Sequence, residues 1–219
     1  GEARAQYEKA LQMDPDQART HCAYGTLLYK HFGGTVDVAE RCFLKALELE
    51  EFDYDINFQY GKFLQDAKKD MEGAEEHYTR CLALDVNEAT PILAEFLLDS
   101  LGRHKGPQRF EELTLEATDF PIIAFCNFAD WALAERNDHK TAEQFYRKCV
   151  KIDIHESNVE PALYAQVVLK YAFFCVQEMR QIETARQLVQ YAKEVAPDLP
   201  EDVQEQIQEL LELGSKESM

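Results

Sequence analysis

One pattern constrains this chain more than any other: an alanine, three residues, an aromatic or aliphatic residue, two more, then a small residue. It occurs as Ala3-Tyr7-Ala10, Ala39-Phe43-Ala46, Ala74-Tyr78-Cys81, Ala142-Tyr146-Cys149 and Ala185-Val189-Ala192. Offsets of four and seven set the three side chains on one face of an α-helix. The small ends let a neighbouring helix come close, and the larger centre fills the groove between the two. A thiol such as Cys81, at a position held elsewhere by alanine, reads as a small apolar filler. The lead alanines are separated by 36, 35, 68 and 43 residues, and 68 is twice 34. A weaker unit is therefore expected between 88 and 121. There Ile92, Leu93, Phe96, Leu97 and Leu101 make one apolar face ending at Gly102, while Phe110, Leu113 and Ala117 make a second. The second helix is expected to open at Gly106-Pro107, with the proline in its first turn.

Each strong unit also carries an upstream aromatic followed by a small residue: Tyr24-Gly25, Tyr60-Gly61, Phe128-Ala129 and Tyr171-Ala172. Turn-like segments lie between, and in one of them Gly33-Gly34 is expected to supply a positive φ. With 9 glycines and 7 prolines in 219 residues, helix formers dominate. The chain is thus expected to be all-α, an α-solenoid of antiparallel helix pairs in which each unit buries its face against its neighbours. The expected division is 1–16 (a second helix lacking its partner), 17–51, 52–87, 88–121 (degenerate), 122–157 and 158–197. A capping helix over 198–214 follows, striped by Val203, Ile207, Leu210 and Leu211, then a frayed tail at 215–219.

These residues resemble the tetratricopeptide repeat, whose signature includes Ala-x3-Phe-x2-Ala and a terminal proline. Ala3-Tyr7-Ala10 is followed by Asp14-Pro15 and Ala185-Val189-Ala192 by Pro197, at the family's proline spacing. The likeness covers roughly residues 1–197 and is looser in the first helices, where the tryptophan-like position holds His21, Asn57, Phe125 and Val168. The segment between the two helices also runs one or two residues longer than the family norm. The half-a-TPR repeat of RNA-processing scaffolds is the nearest alternative. The resemblance implies a right-handed superhelix whose first helices line a concave, peptide-binding groove. Carried over position by position, the groove set is Cys22, Thr26 and Tyr29; Phe58, Lys62 and Gln65; Cys126, Asp130 and Leu133; and Leu169, Phe173 and Gln177. The clamp with which some members grip Hsp70 or Hsp90 C-terminal tails is not matched, because Cys22, Thr26 and Gln59 stand where its Lys and Asn residues would. Binding of those tails is therefore disfavoured.

Charge narrows the partners further. A formal net charge of −18 repels phosphate backbones and anionic lipid, so a basic or amphipathic protein or peptide is favoured over nucleic acid or a membrane surface. The basic segment Arg103, His104, Lys105 and Arg109 interrupts this field and reads as a solvated turn, or as a candidate docking loop for an acidic partner or a neighbouring molecule. Six widely spaced cysteines without a CxxC favour reduced thiols in a cytoplasmic or nuclear compartment. No nucleophile-elbow, P-loop, dinucleotide-binding or HExxH motif occurs, and the six histidines lack metal-ligand spacing and read mostly as loop or surface residues. The acidic run ELEEFDYD reads as a solvated junction. The expectation is a non-enzymatic interaction scaffold without cofactor or metal. An accessory arm of a larger transferase or phosphatase, and a scaffold of an RNA-processing complex, are the alternatives. The unpartnered first helix also predicts self-association through the N-terminal end.

Overall fold

The computed structural model describes residues 2–33, 35–119, 121–154 and 159–197, together with 203, 205, 207, 209, 210 and 212. Among these residues the regular structure is helical, and it divides into two compact units, 1–118 and 119–219.

The first unit holds α1 (Glu2–Met13), α2 (Ala18–His31), α3 (Val36–Leu49), α4 (Tyr54–Phe63), α5 (Met71–Leu84) and α6 (Val86–Ala117). Helices α2 and α3 pack as one pair and α4 and α5 as the next, while α2 also lies against α4. The second unit holds α7 (Pro121–Arg136), α8 (His139–Cys149), α9 (Pro161–Gln177) and α10 (Ile182–Val195), paired α7 with α8 and α9 with α10. The repeated packing faces are the core. All three members of the patterns in α3, α5, α8 and α10 are buried, whereas in α1 Ala3 is exposed and Tyr7 and Ala10 are half-buried. The upstream small residues explain how closely the pairs pack. A Cβ on Gly25 would stand 3.1 Å from the Phe43 ring, and one on Gly61 3.0 Å from the Tyr78 ring. In the C-terminal stretch, Val203, Ile207 and Leu210 are helical and buried; Leu211 and 215–219 lie outside the described residues.

Helix ends follow from local chemistry. Asp53, Asp70, Asp85 and Asp138 each accept a backbone N–H of the helix they precede, at 3.0–3.1 Å. Such caps are worth about 1 kcal/mol each, and an acid there also suits the helix dipole. Asp53, read from sequence as part of a solvated junction, is thus a cap that also accepts from Arg19 at 3.0 Å. At the other ends, Lys69, Asn137 and Arg180 take left-handed backbone conformations. Beside them the amides of Asp70, Asp138 and Gln181 reach back to the carbonyls of Leu64, Ala132 and Cys175. This satisfies carbonyls that the helix leaves open. Helix α4 ends in a π-helical turn at Leu64–Lys68, which absorbs extra length in the segment between the two helices.

Three sequence readings are corrected. The degenerate unit falls within α6, where two helices meet at a kink at Gly102 (φ 78°, ψ 174°), the second beginning at once after it. The turn therefore falls at Gly102, where a left-handed φ favours glycine, and not at Gly106-Pro107. Gly106 serves close approach instead, since a Cβ there would lie 2.9 Å from the Leu97 carbonyl oxygen of the preceding arm. The segment 103–109 is accordingly helical and not a loop. Gly33 does not have a positive φ, and Gly34 lies outside the described residues.

Candidate functional site

In the first unit, α4 takes part in two grooves. The larger, of about 550 Å³, opens between α2 and α4 beside α1. Its apolar surface comes from Cys22, Ala23, Leu27 and Ile56, with Tyr7 contributed by α1. Arg19, Lys30, His31 and Asp55 supply charge of both signs. Two polar atoms in the lining, Thr26 Oγ1 and Gln59 Oε1, are buried and have no hydrogen-bond partner among the described residues. A buried polar group left in that state ordinarily costs about 1–3 kcal/mol. Tyr29, carried over into the groove set, does not line this groove: its ring packs against Phe43 and Phe63, and its hydroxyl is buried without a hydrogen-bond partner among the described residues.

The smaller groove, of about 250 Å³, lies on the other side of α4, toward α6. Phe58, Tyr78 and Phe96 form its aromatic wall, with Phe58–Tyr78 centroids 6.3 Å apart and Tyr78–Phe96 rings edge-to-face at 5.2 Å. Gln65 accepts the Tyr78 hydroxyl at 2.8 Å, which fixes that ring. Asp66, Glu95 and Asp99 bring three carboxylates to this groove, against the single ammonium of Lys62.

The carried-over residues therefore separate by environment. Cys22 and Thr26 line the larger groove, and Phe58, Lys62 and Gln65 line the smaller one. In the second unit, Cys126 and Leu169 are only 3% and 1% exposed. Asp130 accepts from Lys170 Nζ at 2.7 Å and from the Tyr146 hydroxyl. Leu133 and Phe173 are half-buried and Gln177 is exposed. Of the basic segment, Arg103, His104 and Lys105 are exposed, but Arg109 is held by Glu75 at 2.7 Å and Glu112 at 3.0 Å. Sequence reasoning missed Arg19, Ala23, Leu27 and Lys30 in the larger groove. Arg19, Ala23 and Lys30 stand three or four residues from Cys22 or Thr26, and Leu27 stands four from Ala23; these offsets were the available signal, because such residues share a helix face. Nothing in the sequence marks Glu95 and Phe96 as neighbours of Phe58.

The buried thiols are not poised as nucleophiles. Burial, reinforced by Asp53 and Asp55, pushes Cys22 up to about 12, and burial does the same to Cys81 and Cys126. One histidine departs from the surface reading. His77 is buried and its Nδ1 lies 2.9 Å from Asn57 Oδ1. Asn57 Nδ2 donates to the carbonyls of Glu51 and Asp53, so its Oδ1 is the acceptor and Nδ1 of His77 carries the proton. The tryptophan-like position at 57 is thus a polar clamp across α4 and α5. Among the described residues no group of three or more His, Cys, Asp or Glu residues is placed to hold a metal ion. No helix there is long and apolar enough to cross a membrane.

Comparisons with known proteins give a sequence match to the tetratricopeptide repeat over residues 124–153. No curated protein matches. Among solved structures, the chain is similar to YrrB, a TPR protein with an unusual peptide-binding site, at 16% identity and a TM-score of 0.42, covering 88% of this chain and 93% of that one. It is similar to Pseudomonas aeruginosa PilF at 19% identity and 0.37, covering 87% and 78%. A tetratricopeptide repeat protein from Parabacteroides merdae ATCC 43184 matches at 15% identity and 0.42, covering 97% and 91%. At these scores the three structures carry no argument about this chain's grooves. The matched tetratricopeptide repeat spans α7 and α8, and its buried Ala–aromatic–small face recurs in α3 and α5.

Proposed function

We propose that this protein is a non-enzymatic interaction scaffold that binds a peptide segment of a partner protein in the groove between α2 and α4. The observation that carries this is the pair Thr26 Oγ1 and Gln59 Oε1, buried in the lining without an internal partner. An extended peptide brings backbone amides that can donate to both, which removes the cost of burying them alone. The apolar surface of Ala23 and Leu27, backed by the buried Ile56, suits one aliphatic or aromatic anchor. Arg19, Lys30 and Asp55 suit an amphipathic segment better than a strongly charged one. The buried, protonated thiol of Cys22 acts as a packing surface in this groove.

Selection of a random displayed peptide library against the intact chain tests the reading. Enriched peptides should compete with one another and shift the methyl resonances of Ala23, Leu27 and Ile56. Ala23→Arg, which places a long side chain in the groove, should weaken them about tenfold or more while circular dichroism stays unchanged. Full affinity for the folded Ala23→Arg protein, or no enrichment, would reject the assignment.

A further inference from the structure

We infer that the α2–α4 groove takes an extended segment of about five or six residues with one acidic side chain at the Lys30–His31 end. This rests on the peptide-binding reading and adds the length of the ligand and the place of its charge. The α2 lining runs along a single helix face from Arg19, through Cys22-Ala23 and Thr26-Leu27, to Lys30-His31. At about 1.5 Å per residue that face is about 18 Å long, which an extended chain covers in five or six residues at about 3.3 Å each. Charge is divided unevenly along it. Asp55, the carboxylate of the lining, stands in the first turn of α4 and acts on Arg19, which is also bonded to Asp53 at 3.0 Å. Lys30 and His31 are exposed in the last turn of α2, and neither pairs with a carboxylate among the described residues. Lys30 Nζ instead lies 5.7 Å from the ring centroid of its neighbour Tyr29. The negative end of the α2 dipole favours basic residues there, yet it leaves the Lys30 ammonium and a His31 ring N–H able to donate to a carboxylate. Exposure alone would make these a solvated pair. Thr26 Oγ1, one turn earlier on the same face, ties them to a ligand, because it and Gln59 Oε1 are buried in the lining without a partner. From the middle of the Ala23–Leu27 surface to Lys30–His31 is about 8 Å along the helix, or two to three extended residues. The expected ligand therefore has an apolar anchor with Asp or Glu two or three positions away. An acid at the opposite end would meet Asp55 and is disfavoured.

The experiment selects a displayed library, randomised around one fixed leucine, against the intact chain. Enriched sequences are then synthesised with acetylated and amidated ends, so that only a side chain can supply a carboxylate, and each is paired with a copy whose acid is replaced by its amide. Asp or Glu should be enriched two or three positions from the leucine, and trimming to about six residues should keep the affinity. The acid-to-amide change should weaken binding about two- to fivefold, less at high salt, as expected for an exposed ion pair. Lys30→Gln combined with His31→Gln, at two exposed positions, should abolish that difference while the peptide still shifts the methyl resonances of Ala23 and Leu27. If the double variant fails to fold, Lys30→Gln alone carries the comparison. Peptides that shift those methyls but lack an acid at this spacing, or an acid–amide difference that survives in the folded variant, would overturn the inference and leave the groove standing. No enrichment, or affinity untouched by Ala23→Arg, would reject the groove and the inference with it.

Discussion

Lowering the pH should destabilise the first unit through one residue, His77. Burial lowers its pKa from 6.5 to about 4, with Arg80 adding to the effect and Glu76 opposing it. A histidine held neutral in the fold binds fewer protons than the unfolded chain between those two values. Stability is therefore full above about pH 6.5 and declines as pH falls toward 4. Integrating the linkage gives a loss of about 2 kcal/mol between pH 7 and pH 5, a window above most carboxylate titration. His77→Asn is the matched control: its amide can donate to Asn57 Oδ1 but does not titrate. That variant loses the ring contact with Tyr60 (centroids 4.7 Å apart), a cost that does not vary with pH. Urea unfolding by far-UV circular dichroism at pH 7, 6 and 5 would compare the two. The single tryptophan, Trp131, reports the second unit separately. Wild type should lose about 2 kcal/mol more than His77→Asn over the window. Equal losses, or a His77 resonance titrating near 6.5, would refute the reasoning.

Two further outcomes follow from packing. Gly106→Ala should destabilise despite its helical position, because the added Cβ meets backbone atoms of Leu97 and Leu98 at 2.9–3.1 Å. The overpacking cost of about 1–3 kcal/mol outweighs the ~1 kcal/mol gained in helix propensity. Gly33→Ala, with nothing within 4 Å of its Cβ, should be neutral or stabilising by about 0.4–1 kcal/mol, and thermal melts of both variants check the contrast. Each of the six cysteines is buried, so iodoacetamide should label the native chain slowly at every one of them. Rapid labelling of Cys22 alone, read by mass spectrometry, would show the α2–α4 groove to be more open than its lining implies.

Periodicity made much of the fold legible. Four and seven residues must share a helix face, and the triads at Ala39, Ala74, Ala142 and Ala185 are buried accordingly. What a dipeptide signals is less secure, because one residue can serve two ends. Gly106-Pro107 reads as a turn, yet Gly106 is used for helix contact, and the φ of 78° belongs to Gly102. His77 was hidden because its partner Asn57 lies twenty residues away and becomes a neighbour only when α4 and α5 pair. The candidate site was legible to the level of helix faces. Whether a face stays open depends on the adjoining helix, which is how Thr26 comes to line a groove while Leu169 is 1% exposed. Charge at a groove rim was less legible still, since Glu95 and Asp66 meet only through tertiary packing.

On the proposed function, the α2–α4 groove keeps buried polar atoms for a ligand at some expense of stability. Thr26→Val with Gln59→Leu replaces both orphaned groups by apolar ones of similar shape, and the measurement is thermal stability and affinity for a display-selected peptide on the same protein. Stability should rise by about 1 kcal/mol or more while binding weakens about tenfold. Lower stability with undiminished peptide affinity would contradict it.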